Sequence, residues 1–143
     1  MRTQSIAFLF LLVASCALAR MDSVTVSVAT GAATTGTGTT TIDGYVEAIV
    51  LDVPAGTVTG TYTVAWSPPE STVAAVTIGS GSAITADTWI RPRIDATTTD
   101  GTANTSDPPV RYAIPNNGVI TVTITNASAT NLTWKTLVIY ERN

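Results

Sequence analysis

The chain contains no histidine, one cysteine (Cys16) and one lysine (Lys135). Without histidine, imidazole general bases and the usual zinc sites are excluded. One cysteine cannot form an intramolecular disulfide, and it lies before the body of the chain, so thiol catalysis within that body is excluded too. We therefore expect no cofactor and no metal.

Positive charge is also scarce. After Arg20 the chain carries five basic residues against ten acidic ones, with no basic cluster. Phosphate backbones and anionic membrane surfaces both require concentrated positive charge. We expect no nucleic-acid partner, and no membrane partner unless the N-terminal leader described below is real.

Threonine, by contrast, makes up about a fifth of the 143 residues. β-Branched residues favour pleated sheets over surface helices. Short segments alternate between apolar and polar residues, most clearly Val24, Val26 and Val28 in "SVTVSV" and the isoleucines and valine of "VITVTITN". We predict one all-β domain over residues 21–143, a single antiparallel β-sandwich of about eight strands with jelly-roll or Greek-key connections.

Other segments predict how these strands connect. "GYVEAIVLDV" (44–53) is apolar on both faces and predicts a central strand, whereas the Gly/Thr/Ala-rich residues 29–41 predict a loop or flexible arm. "TVAAVTI" (72–78) predicts a strand that the turn "GSGSA" ends, and "TWIRPR" (88–93) an edge strand. "IPNNGVI" predicts a tight hairpin because Asn-Gly adopts positive φ readily.

The first 20 residues form a hydrophobic leader with three interpretations. Residues 6–19 are almost entirely apolar, and this run is shorter than the ~20 residues that a membrane-spanning helix needs. Arg2, the apolar run and "ASCALA" together are typical of a secretory signal. "VASC" resembles a bacterial lipobox, in which Cys16 would be lipidated. Alternatively, translation begins at Met21, directly before the first strand.

Three sets of residues are candidates for binding or catalysis. Asp95, Asp100 and Asp107 share a long polar loop but match no calcium motif, so a solvated loop is favoured. A glycosidase would need two carboxylates flanking one bond, whereas the odd spacing of Glu47 and Asp52 predicts opposite faces of one strand. The tryptophans suggest either a sugar-stacking platform or, as we favour, core and interface packing; they are Trp66, Trp89 and Trp134. No catalytic arrangement remains, and we expect no enzyme.

Longer segments carry a resemblance to a known class of protein. "IDGYVEAIVLDV", "RPRIDATTTDGTA" and "NNGVITVTITNASATNLTWKTLVIY" together resemble the small β-sandwich virion accessory proteins of tailed bacteriophages, of the capsid decoration or cement type. The similarity spans most of residues 22–140 and depends on strand order and two short motifs, "RPR" and "TVTITNAS". It implies a location in the virion, contact with the major capsid protein or other virion subunits, and a homo-oligomer, often a trimer.

The resemblance also implies interface residues. Trp89, Arg91 and Arg93 on the expected edge strand, and Thr35 and Thr37 in the expected arm, are the candidates. A tail or fibre role would use the same fold. The alternative function, which the lipobox and the tryptophans favour, is a secreted β-sandwich or an outer-membrane or cell-surface lipoprotein that binds a glycan or a partner protein.

Overall fold

The alternating segments form the strands that they predict, and the chain is all-β. The computed structural model describes residues 20–56, 58–68, 72, 74–94, 96–97, 103–104 and 109–142. The leader, Cys16 and the loop aspartates Asp95, Asp100 and Asp107 lie outside the described residues. The strands are β1 (Arg20–Ala29), β2 (Gly36–Asp52), β3 (Gly60–Ser67), β4 (Val76–Ile84), β5 (Thr88–Ile90), β6 (Ala96–Thr97), β7 (Ala103–Asn104), β8 (Tyr112–Thr125) and β9 (Thr133–Arg142).

Seven of these strands form one antiparallel sheet that curls into two layers. Its order is β1-β9-β2-β8-β3-β4, with β5 also paired to β2, while β6 and β7 form a separate pair. The 17-residue β2 belongs to both layers, because residues 36–42 pair with β8 and residues 48–52 pair with β9. Register shifts between Ile42 and Gly44 and between Val46 and Ala48 mark the bend. β-Bulges of this kind bend and twist a strand locally.

We name the two layers by their strands. Layer A contains β1, β9, the second half of β2 and β5; layer B contains the first half of β2, β8, β3 and β4. The layers pack face to face, since a Cβ on Gly60 of β3 would lie 2.9 Å from the Trp134 ring of β9. Likewise, a Cβ on Gly79 of β4 would lie 3.6 Å from the side chains of Ile49 and Ile90.

The core lies between the layers and consists of the residues that alternation predicts. Val26 and Val28 of β1 are buried, as are the alternating residues of β3 and β8. Trp134 is the largest fully buried side chain. The fully buried residues of β8 are Ile114, Ile120, Val122 and Ile124, and those of β2 and β3 include Ile42, Val46, Ile49, Leu51 and Val64.

The predicted hairpin at "IPNNGVI" is wrong, because residues 112–125 form one 14-residue strand. Asn117 does adopt positive φ (56°), as the Asn-Gly signal requires. However, β2 pairs with β8 on both sides of this point, Ile42 with Gly118 and Gly44 with Ile114. The residues between Ile114 and Gly118 therefore form an irregularity in the ladder opposite the bend of β2, and the chain does not reverse there.

Two other segments that were predicted as a turn and a loop also lie within strands. The "GSGSA" segment lies inside β4, which begins at Val76 and ends at Ile84, so the predicted strand 72–78 and its turn are wrong. Gly81 is paired with Tyr62 of the neighbouring strand β3, and a Cβ on Gly81 would contact the Tyr62 ring. Glycine here is a packing site for the ring. The expected arm 29–41 is likewise wrong after residue 35, since β2 begins at Gly36.

Burial of Tyr62 predicts a loss of stability at alkaline pH. The side chain is 3% exposed, and burial raises its pKa above the ordinary value of 10. The unfolded chain therefore ionises Tyr62 first, so its contribution to stability is complete below about pH 10 and falls as the pH rises above it. We therefore expect the urea midpoint to fall between about pH 8 and about pH 11, and to fall less in Tyr62→Phe than in the wild type. Equal falls in the two proteins would contradict this prediction.

Candidate interaction surface

The outward face of layer A carries a row of apolar side chains. Directly opposite residues share a face of a sheet, and Val50 is paired with Trp89 on β5 and with Leu137 on β9. In the next rows Ile139 pairs with Ala48, and Met21 pairs with Glu141. Trp89 is 66% exposed and Met21 51% exposed. We call this surface the apolar outer face: Met21, Val50, Trp89, Leu137 and Ile139.

Part of this face forms an open depression. Side chains of β1 and β9 line a volume of about 270 Å³. Its apolar walls come from Met21, Leu137 and Ile139, and its polar rim comes from Asp22 and Ser23. The depression therefore reaches the outer edge of β1, where layer A ends.

A network of charges borders the outer face where β2 bends. Glu47, at the register shift of β2, accepts a hydrogen bond from Arg93 Nη2 at 3.1 Å, and its other carboxylate oxygen lies 3.7 Å from Arg111 Nη1. Arg93 Nη1 also donates to the Glu47 carbonyl at 3.3 Å and to the Pro92 carbonyl at 2.7 Å. Arg111 donates a further hydrogen bond to the Glu141 carboxylate. The network ties the segment after β5 to the bend.

Tyr45 completes this network. The Arg111 guanidinium lies 5.2 Å from the centre of the Tyr45 ring, within cation–π range. The hydrogen bond from Arg111 to Glu141 raises the pKa of the guanidinium above its ordinary value, with smaller contributions from the charges of Glu141 and Glu47. An arginine side chain is in any case protonated in proteins, and this contact favours the charged form of Arg111. This border presents an aromatic ring, 39% exposed, next to fixed charges.

The predicted interface residues separate into three groups. Trp89 lies on the apolar outer face, and its role in an interface stays a prediction. Arg91 and Arg93 follow β5, which ends at Ile90, so their predicted place on an edge strand is wrong. Arg91 is exposed, whereas Arg93 is half-buried in the network with Glu47. Thr35 is exposed beside the turn after β1, and Thr37 is exposed within β2, on a paired strand instead of an arm.

The three tryptophans do not form one platform. Trp134 faces the core from β9, and Trp66 is half-buried against the core from β3. Trp89 faces outward, since its neighbour Ile90 is the β5 residue that packs inward. The preferred interpretation, core and interface packing, therefore fits the positions of all three.

The structure adds four residues to the site that the sequence analysis did not propose. Met21, Val50, Leu137 and Ile139 were each expected only as parts of strands. A signal for three of them (Val50, Leu137 and Ile139) existed in "GYVEAIVLDV" and "LTWKTLVIY", where apolar residues occupy both faces of the strand. Such runs occur where a second surface covers the sheet.

Within the described ranges, no group of three or more acidic, cysteine or histidine side chains is placed to hold a metal ion. That part of the chain also contains no helix long and apolar enough to span a membrane. Its ion pairs join Glu47 to Arg93 and Arg111, and Arg111 to Glu141.

Comparisons of this chain with known protein families, with curated proteins and with solved structures found no match.

Proposed function

We propose that this protein is a non-enzymatic structural component of a virus particle, a capsid decoration protein that stabilises the particle through protein–protein contacts. The observation that carries the proposal is the exposed Trp89, which lies in one row with Val50 and Leu137 on a layer of paired strands. A large apolar side chain this exposed has a hydrophobic driving force for burial against a partner. The capsid as partner is what the resemblance of "RPR" and "TVTITNAS" implies.

The composition of the outer face supports a protein partner. Protein interfaces are enriched in tryptophan, tyrosine, methionine and arginine, with an apolar centre and a polar rim. Here Trp89 and Met21 flank the half-buried aliphatic residues, and Tyr45 with Arg111 lies at one border. Because the layer consists of hydrogen-bonded strands, its backbone is already ordered, which reduces the entropy lost on binding.

Trp89→Ala tests this proposal. The side chain is 66% exposed, so we expect the free energy of unfolding to change by less than about 0.5 kcal/mol. A tryptophan that anchors an interface contributes about 2 kcal/mol or more, so affinity for the capsid should fall about 30-fold. The measurement is the number of copies retained per particle, together with the temperature at which the particle releases its genome.

The matched control is Val76→Ala, which shortens an exposed apolar side chain on β4 in layer B. It should leave retention on particles unchanged. Normal retention of the Trp89→Ala protein, or absence of the wild-type chain from particles, would contradict the proposal.

The exposed indole of Trp89 also favours the second candidate, a glycan-binding surface protein, because sugars stack on exposed aromatic rings. Leu137→Ser distinguishes the two functions. Leu137 is half-buried in the middle of the outer face, so a protein interface should weaken on this substitution. Sugar stacking on Trp89 alone should not change. Glycan-array binding lost in Trp89→Ala but kept in Leu137→Ser would support the glycan function.

A further inference from the structure

The outer edge of β1 carries unpaired backbone groups. β1 is the last strand of layer A and pairs only with β9 among the described strands. The carbonyl of Ser27 faces away from β9, because a Cβ on Gly38 of β2 would lie 2.7 Å from its oxygen. In an antiparallel strand the N–H and C=O of alternate residues point to the same side. Met21, Ser23 and Thr25 therefore also direct their N–H and C=O groups outward.

The free part of this edge ends at Thr25. Beyond it, the first half of β2 approaches β1 closely, and the carbonyls of Ser27 and Ala29 lie against Gly38 and Gly36. Across residues 21–25, one outward backbone group has a hydrogen-bond partner in the described ranges: the Ser23 N–H donates to the carboxylate of the adjacent Asp22 at 2.8 Å, at an exposed position. The other outward backbone groups of Met21, Ser23 and Thr25 make no hydrogen bond there. This segment of regular strand becomes available for pairing once the Ser23 N–H leaves its exposed contact with Asp22.

The opposite edge of the sheet differs. β4 pairs with β3 through two register shifts, between Gly60 and Tyr62 and between Val64 and Ala65. It also contains Ala83 with φ of 52°. Bulges and irregular backbone are common devices that prevent edge-to-edge association. β1 pairs with β9 over all ten residues without a shift, and its free segment has no lysine or proline.

The free segment is complementary to itself in one antiparallel register. A two-fold axis at Ser23 places Ser23 opposite its equivalent and Met21 opposite Thr25, so that all three outward-facing residues form hydrogen bonds. Asp22 then lies opposite Val24. An axis at Asp22 would instead oppose two carboxylates, and an axis at Val24 would oppose Met21 to Ser27, whose carbonyl is already covered. Like charges directly opposite each other destabilise a sheet.

We propose that β1 pairs with β1 of a second copy of this chain, antiparallel and centred on Ser23. Layer A of one copy and layer A of the other then form one continuous sheet. The pairing satisfies the outward backbone groups of residues 21–25, and the Ser23 N–H exchanges the Asp22 carboxylate for a carbonyl of the second copy. It also brings Met21, 51% exposed, against Thr25 of that copy. The depressions beside the two β1 strands then lie next to each other. This inference concerns contact between copies and does not depend on the proposed capsid function.

Charge substitutions at Ser23 test the pairing and its register. Ser23→Lys places two ammonium groups directly opposite across the axis, and Ser23→Glu places two carboxylates there. We expect each variant alone to dimerise at least tenfold more weakly than the wild type. An equimolar mixture of the two should form a heterodimer. The measurement is sedimentation equilibrium of the full chain as purified, with its N-terminus established by mass spectrometry.

Ser27→Lys is the matched control. It introduces the same charge at another exposed position of β1, beyond the pairing segment. It should leave dimerisation unchanged, and circular dichroism should show all variants folded. The proposal is overturned if the wild type is monomeric at millimolar concentration. It is also overturned if Ser23→Lys weakens association no more than Ser27→Lys, or if the mixture fails to restore the dimer.

Discussion

Replacing Trp134 with alanine should lower the free energy of unfolding by about 3–5 kcal/mol, the range for deletion of a large buried aromatic side chain. Trp134 is 0% exposed and faces the core from β9. Its ring extends to layer B, where a Cβ on Gly60 would lie 3.0 Å or less from it. Because both layers contact the ring, alanine leaves a cavity that neither layer alone can close. Such a loss is a large share of the 5–15 kcal/mol typical of folded proteins.

Urea titration followed by circular dichroism measures this loss, and two other tryptophan variants calibrate it. Trp89→Ala removes the same side chain from the surface and should cost less than about 0.5 kcal/mol. Trp134→Phe keeps most of the ring and removes an indole N–H that has no hydrogen-bond partner in the described part of the chain. It should cost less than Trp134→Ala. Equal losses for Trp134→Ala and Trp89→Ala would contradict the assignment of Trp134 to the core.

Gly44→Ala should lower the free energy of unfolding by at least about 2 kcal/mol, since it combines an unfavourable φ with a steric overlap. Gly44 has φ of 148°, which residues with a side chain rarely adopt. A Cβ there would overlap the backbone carbonyl oxygen of Glu141. The backbone at Gly44 cannot move away to relieve this overlap, because it is paired with Ile114 of β8 on one side and with Arg142 of β9 on the other.

Gly31→Ala separates the two parts of this cost. Gly31 has φ of 55°, and a Cβ there would meet no atom within 4 Å. The substitution should therefore lower the free energy of unfolding by about 1–2 kcal/mol, which is the cost of a left-handed backbone conformation without any steric overlap. Thermal or urea unfolding of both variants measures the difference. If Gly44→Ala were no more destabilising than Gly31→Ala, the bend of β2 would be able to move away from β9.

Much of the core could be predicted from the sequence because it depends on a local pattern. Alternation placed Val26 and Val28 correctly, and it did the same for Ile120 and Ile124. A period of two identifies which face of a strand is buried, whatever its partner. The apolar run 44–53 also predicted a central strand, and β2 does have β9 on one side and β8 and β5 on the other.

The connections could not be predicted because turn signals describe only local dihedral angles. A positive φ at Asn117 is compatible with either a chain reversal or a bulge. The bulge forms because β2 pairs with β8 both before and after Asn117. The glycines of β4 likewise serve close packing, with Gly81 against Tyr62. The residues after Thr35 have the composition of a flexible arm, yet tertiary pairing with β8 makes them a strand.

The candidate site was predictable only in part. Trp89 was a candidate interface residue, but its neighbours Val50 and Leu137 come from strands far apart in sequence. Only the register of three strands brings them into one row. Arg93 was expected to meet a partner, whereas Glu47 already binds it, because the register shift after Val46 places Glu47 at the bend.

The pairing of β1 with β9 also determines when this protein can finish folding. Arg20 pairs with Arg142, so β1 has its partner about 120 residues later in the chain. The valines of β1 must remain without these native neighbours until β9 has been synthesised. Sheets closed by such distant pairings fold slowly, and strands that wait are exposed to association with other chains. Production in cells should therefore depend on chaperones that bind nascent chains.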